Sequence, residues 1–150
     1  MRALVLKKLY EWSLVPCQVL KRNTAWNIGI GELLDYQKDS LGYSLGCFLS
    51  INNFDLQKKL ESHDVFHVLT DTGISVPDEI SMQFYLFGNG KRSIYLYSVV
   101  FLGVLIYPDY LKFFHRAYGR GKSALPFHQL DFQKLLNQPI DRIKSTFLIQ

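Results

Sequence analysis

Apolar residues recur along this chain at intervals of three and four, and no convincing run alternates at the period of a strand. Residues 2–15 set Leu4, Val5, Leu9, Trp12 and Val15 at helical spacing before Pro16. Two further helices are expected over 25–36 and 41–51, each weakened by a pair of glycines. Asn53 offers an N-cap for a helix over 54–61, and Ser62 offers one for 63–69. Pro77-Asp78-Glu79 has the composition of a first turn and opens a helix through Phe87, stopped by Gly88-Asn89-Gly90. Pro108 opens a helix over 109–118 that ends at Gly119 or Gly121. Asp131 caps 132–136, and Pro139 opens a last helix through Phe147. With no repeat or dividing linker, the expectation is an all-α fold over 1–150, a single-domain helical bundle of about seven to nine helices.

From Ser93 to Pro108 no residue is charged, and 94–107 is apolar almost without break. At about 1.5 Å per residue the stretch reaches roughly 24 Å as a helix, short of the ~30 Å hydrocarbon core of a bilayer. A buried central helix is the expectation, and one wall of a lipid-sized cavity would look the same.

Composition narrows the function classes. Hydrophobic residues make up 48% and charged residues 20%, enough for a sizeable core and against overall disorder. Aromatics reach 15%, which suits core filling, an apolar pocket or a partner surface. The net charge of +4 is spread in small groups rather than clustered beside a recognition motif. That pattern suits an anionic membrane surface or a phosphate-bearing ligand about as well as nucleic acid, so charge alone decides nothing. With no recognition motif beside it, no nucleic-acid partner is expected. Cys17 and Cys47 form no CxxC and read as reduced core thiols of a cytosolic protein. The apolar run 3–6 is too short for a signal-peptide core, so no export signal is expected.

Candidate chemistry centres on His63-Asp64-Val65-Phe66-His67. As i and i+4 on a helix, the two imidazoles project from one face. Asp64 lies near the edge of that face, and Glu79 follows after a Gly- and Pro-bearing connection able to fold back over the pair. Two imidazoles with one or two carboxylates suit Zn, Fe, Co or Mn and leave a position for water or substrate. Spacing alone leaves a second reading equally open, in which His63 caps a helix, His67 is half-buried and the acids support helix N-termini. A zincin would need Glu directly after the first His. A phosphohydrolase of the HD type would need another His upstream, and none precedes His63. His115 and His128 stand alone and read as structural or solvent-facing.

The stretch from His63 to Thr70, with Glu79 twelve positions after His67, resembles the HDxxHx11E signature of the coenzyme Q (ubiquinone) biosynthesis protein 4 family. Asp39-Ser40-Leu41-Gly42-Tyr43 with Phe48-Leu49 resembles its (E/D)xxLGxxxxxFL segment. Arg116-Ala117-Tyr118-Gly119-Arg120-Gly121-Lys122 is similar to its basic helix end, and Pro139-Ile140-Asp141-Arg142-Ile143 to its final PLxxLR helix. The matches run in the family's order over residues 35–150. Where the family has Gly soon after Leu-Thr, this chain has Asp71 and a later Gly73; where it has Trp-Glu, this chain has Asp131-Phe132.

The resemblance implies an all-helical fold and a divalent metal (Zn, Fe, Co or Mn) at His63, Asp64, His67 and Glu79, the same four acting in catalysis. It implies oxidative decarboxylation of a prenylated benzoate ring, with the prenyl tail against Tyr95, Phe101, Leu102, Leu105 and Ile106. Ordinary core packing is the plainer reading of each of those five. Arg116, Arg120 and Lys122 would meet an anionic headgroup or membrane surface, or would simply offset a helix dipole. The implied partners are a polyprenyl-tailed aromatic or lipid, the inner face of a membrane approached from the cytoplasm, other quinone-biosynthesis enzymes and a second copy in a homodimer. A non-catalytic polyprenyl-lipid-binding scaffold is the alternative.

Overall fold

A computed structural model describes residues 26–55 and 61–150. Seven α-helices follow one another there: α1 (Ile30–Leu34), α2 (Leu41–Ile51), α3 (Glu61–Thr70), α4 (Val76–Gly88), α5 (Ile94–Ile106), α6 (Leu111–Ser123) and α7 (Ile140–Thr146). Short 3-10 turns cover Pro108–Tyr110 and Phe132–Leu135, and an isolated bridge joins Ser40 to Pro139. Among the described residues there is no strand, as the helical periodicity requires. The helix expected over 2–15, Cys17 and most of the helix expected over 54–61 lie outside the described residues.

Capping chemistry sets the elements that carry the site. Ser40 Oγ accepts the Tyr43 N–H and starts α2 where the pattern puts it. Ser75 and Asp78 form a capping box with Pro77 in the first turn, so α4 begins firmly at Val76. Ser62 stands inside α3 rather than at its N-cap, and Glu61 is already helical. The helix expected over 25–36 contracts to α1, whose N-cap Gly29 makes no side-chain bond. Cys47 is half-buried rather than a full core residue.

The core is built from Leu41, Leu45 and Leu49 of α2, Val65, Phe66 and Leu69 of α3, and Met82, Tyr85 and Leu86 of α4. Phe66 meets the rings of Phe127 and Phe132 edge-on, which draws the segment after α6 onto the bundle. Gly119 and Gly121 do not end α6, which runs on to Ser123. A Cβ on Gly121 would collide with the Tyr85 carbonyl, and one on Gly88 with the Tyr118 carbonyl. These glycines let α4 and α6 cross backbone to backbone. Buried Asn89 stitches the same junction, donating to the Leu125 carbonyl (3.0 Å) while its Oδ1 accepts the Phe127 N–H (3.0 Å).

The uncharged stretch is a helix, but not a buried central one. On α5 only Leu96 and Gly103 are buried, whereas Ile94, Phe101 and Leu105 are 87%, 69% and 67% exposed. Gly103 fits tightly against Ile80 of α4, and the opposite face is open. An all-apolar helix has no polar face to mark its outside, so periodicity could not orient it. Beyond the Pro108–Tyr110 turn the chain bends by 103° into α6. Among the described residues no single helix is long and apolar enough to cross a membrane.

Candidate metal centre

Helices α3 and α4 bring three side chains to one point. Nε2 of His67 lies 3.0 Å from Glu79 Oε1, and Nε2 of His63 lies 3.3 Å from Glu79 Oε2 and 3.3 Å from the His67 Nε2. One ligand atom from each falls within 4.8 Å of the others. The i,i+4 spacing puts the rings on one face, and the capping box sets Glu79 in the first turn of α4 opposite them.

The connection between the helices is fixed in detail. Asp71 takes a left-handed conformation (φ 50°), and the Thr72 N–H donates to the His67 carbonyl at 3.1 Å. This is the six-to-one bond of a Schellman helix end. Nδ1 of His67 then donates to the Thr72 carbonyl at 3.1 Å. A carbonyl can only accept, so the proton sits on Nδ1 and Nε2 is the atom turned to the centre. Phe48 of α2 stacks on the other side of the ring, centroids 5.4 Å apart and planes 17° off parallel.

Charge follows from this geometry. Burial works against the Glu79 carboxylate, but hydrogen bonds and charge from His63 and His67 outweigh it and hold its pKa at about 2. Burial also opposes charge on His67, and the Glu79 hydrogen bond reverses that, raising its pKa. Asp64 lies outside the tight three-atom group but within reach of both imidazoles. Burial pushes its carboxyl up to about 6 against their pull. Two imidazole nitrogens and an ionised carboxylate, with one ring's tautomer fixed by a backbone carbonyl, are a donor set that fits Zn, Fe, Co or Mn.

The other expected site residues lie elsewhere. Tyr95, Leu102 and Ile106 are half-buried on α5, while Phe101 and Leu105 face outward. Arg116 is exposed beside a surface hollow shared with Leu111, Lys112 and His115. Arg120 donates to the Thr70 carbonyl (3.2 Å) and to that of Gln150, and its guanidinium lies 5.4 Å from the Tyr85 ring centroid. Two contributors escaped the sequence reading of the centre. Phe48 was visible only as part of a matched segment, and the Thr72 carbonyl, being backbone, has no signature at all.

An all-helical bundle with two histidines and a glutamate converging between consecutive helices defines the class: a helical protein with a candidate three-ligand metal centre. The model of the coenzyme Q (ubiquinone) biosynthesis protein Coq4 family matches residues 51–150, and the chain belongs to that family. The match contains His63, Asp64, His67 and Glu79. A crystal structure of a protein assigned to ubiquinone biosynthesis, from Nostoc punctiforme PCC 73102, superposes with a TM-score of 0.66 at 15% identity. It covers 99% of this chain and 81% of that one. At that identity the likeness bears on the fold alone. No curated protein sequence matches the chain.

Proposed function

We propose that this protein serves ubiquinone biosynthesis as a metal-dependent enzyme that oxidatively decarboxylates a prenylated benzoate ring at the cytoplasmic face of a membrane. Family membership supports the pathway. The observation that carries the chemistry is the convergence of His63 Nε2, His67 Nε2 and the Glu79 carboxylate. These residues would hold the divalent metal, which when bound would supply Lewis-acid polarisation of the ring's phenolate or carboxylate oxygen. Thr72 and Phe48 keep the His67 ring aimed. Asp64 adds a buried carboxyl whose pKa of about 6 in the metal-free protein a bound cation would lower, and in this reading it serves as a proton acceptor.

Access from a membrane is supported by the open face of α5 and the start of α6. Ile94, Tyr97, Phe101 and Leu105 are exposed there, followed by Leu111 and Phe113. Helix α6 adds Lys112, Arg116, Arg120 and Lys122 and no acid. Apolar area with cations beside it suits an anionic lipid surface and a polyprenyl tail. The same face favours a second reading, a non-catalytic scaffold that binds polyprenyl lipid and gathers other pathway enzymes or a second copy. Replacing the ring carboxyl by hydroxyl releases carbon dioxide and two electrons, for which dioxygen is the acceptor in this reading. The deciding experiment therefore incubates the metal-loaded protein under air with a prenylated hydroxybenzoate in anionic vesicles and follows carbon dioxide release. Release by wild type but not by His67→Ala supports the enzyme. Vesicle binding by both, with no release under any metal, supports the scaffold.

A further inference from the structure

Three consecutive residues at the end of α3 are each tied to a different part of the molecule. The Thr70 carbonyl accepts from Arg120 of α6 at 3.2 Å. The Asp71 carboxylate meets Lys144 Nζ of α7 at 2.8 and 2.7 Å, across 73 positions of sequence. The Thr72 carbonyl accepts from the His67 ring at 3.1 Å, while the His67 carbonyl receives the Thr72 N–H. The two threonine hydroxyls lie 2.6 Å apart, and that of Thr70 reaches the Phe66 carbonyl at 2.7 Å.

We propose that the Asp71–Lys144 ion pair is a positioning device for the candidate metal centre, clamping the 70–72 turn to α7 and so fixing the carbonyl that aims the His67 ring. The turn needs such a clamp. Asp71 holds a left-handed backbone (φ 50°) that L residues disfavour and Asp tolerates better than most. Rotation at Asp71 would move both peptide groups flanking it, and the Thr72 carbonyl with them. The Lys144 side chain is 21% exposed against 72% for Asp71, so the clamp reaches out from the folded body to a protruding turn. An exposed pair of this kind adds little to global stability. Its leverage is local, because a partner of a metal-ligating imidazole sets the ring's orientation and hence its affinity.

The zinc arm of the test rests on the metal reading above; the ring arm does not. The whole protein is compared with Lys144→Gln, Asp71→Asn (which keeps tolerance for the left-handed backbone), the double variant and Lys144→Arg. Zinc affinity is measured by chelator competition, and exchange of the His67 Nδ1–H is followed by NMR in the metal-free protein. Each single variant weakens zinc binding about three- to ten-fold, less than the 10–100-fold typical of direct partners of a ligand. The same variants broaden the Nδ1–H resonance. The double variant loses no more than either single, since both remove one interaction, and Lys144→Arg behaves as wild type. A Lys144→Gln protein with unchanged zinc affinity and an unchanged His67 resonance overturns the proposal. So does a zinc loss that merely tracks a fall in melting temperature and is not rescued by Lys144→Arg. Wild type that takes up no zinc overturns the metal reading instead, and the resonance still decides the clamp.

Discussion

The centre between α3 and α4 and the open face of α5 lie little more than a dozen residues apart, yet they are built on opposite terms. His67 is held by Glu79, by the Thr72 carbonyl, by stacking on Phe48 and by the surrounding helix. Helix α5 buries only Leu96 and Gly103 and leaves Phe101 to solvent. Polar chemistry works only where atoms are fixed to fractions of an ångström. A surface for lipid needs area without fixed partners. Substitutions should therefore separate the two regions.

The largest effect is expected at the centre. His67→Ala removes one of three converging atoms and should take metal content from about one per chain to near none by elemental analysis. Full occupancy in that variant would remove the basis for the assignment. Gly103→Trp should come next, because Gly103 already touches Ile80, the neighbour of Glu79. It should lower unfolding free energy by about 1–3 kcal/mol in a denaturant titration and weaken metal binding too, showing where the regions meet. The paired change Phe101→Ser with Leu105→Ser should leave stability and metal unchanged, since both side chains face outward. Vesicle sedimentation should show binding weakened by at least about ten-fold, since ten-fold needs the loss of only about two buried methylenes at about 0.8 kcal/mol each. Equal binding would free the α5 face from any lipid role.

Smaller effects follow from protonation. In the metal-free protein Glu79 raises the His67 pKa above its ordinary value. Metal uptake should therefore release more protons than an ordinary imidazole would at the same pH, and affinity should fall as pH drops. Calorimetry in buffers of different ionisation enthalpy measures the number released. Asp64 gives the subtlest test. Burial raises its folded pKa to about 6, so the destabilisation it causes is absent below its ordinary range near 3.8 and complete above about 6. Metal-free Asp64→Asn should then melt above wild type at neutral pH and equal to it near about pH 3. A lower melting temperature at neutral pH would show that the ionised carboxylate stabilises the metal-free centre.

Much of this was legible in the sequence, for identifiable reasons. Helix α2 falls where its apolar spacing puts it, and the start of α4 carries a local signal in Pro77 and the acids after it that the fold keeps. His63 and His67 could be placed on one face because helical spacing fixes relative direction. What escaped depends on partners far along the chain. Gly121 reads as a stop until the Tyr85 backbone is seen against it. Ser62 reads as a cap although Glu61 is already helical. The outward face of α5 was hidden because a helix apolar on all sides gives no orientation. The Thr72 carbonyl that fixes the His67 tautomer belongs to the main chain, which every sequence shares.

The glycine crossing of α4 and α6 has a consequence for how the molecule opens. Where backbones interlock without side chains between them, no rotamer change can loosen the contact, so that junction should separate only with global unfolding. Amide hydrogens around Tyr85, Gly88 and Gly121 should be the last to exchange with deuterium, and those of α5 among the first. Glu79 rides on the slow-exchanging helix, near its start. An opening confined to α5 would therefore leave closed the α4–α6 frame that carries Glu79.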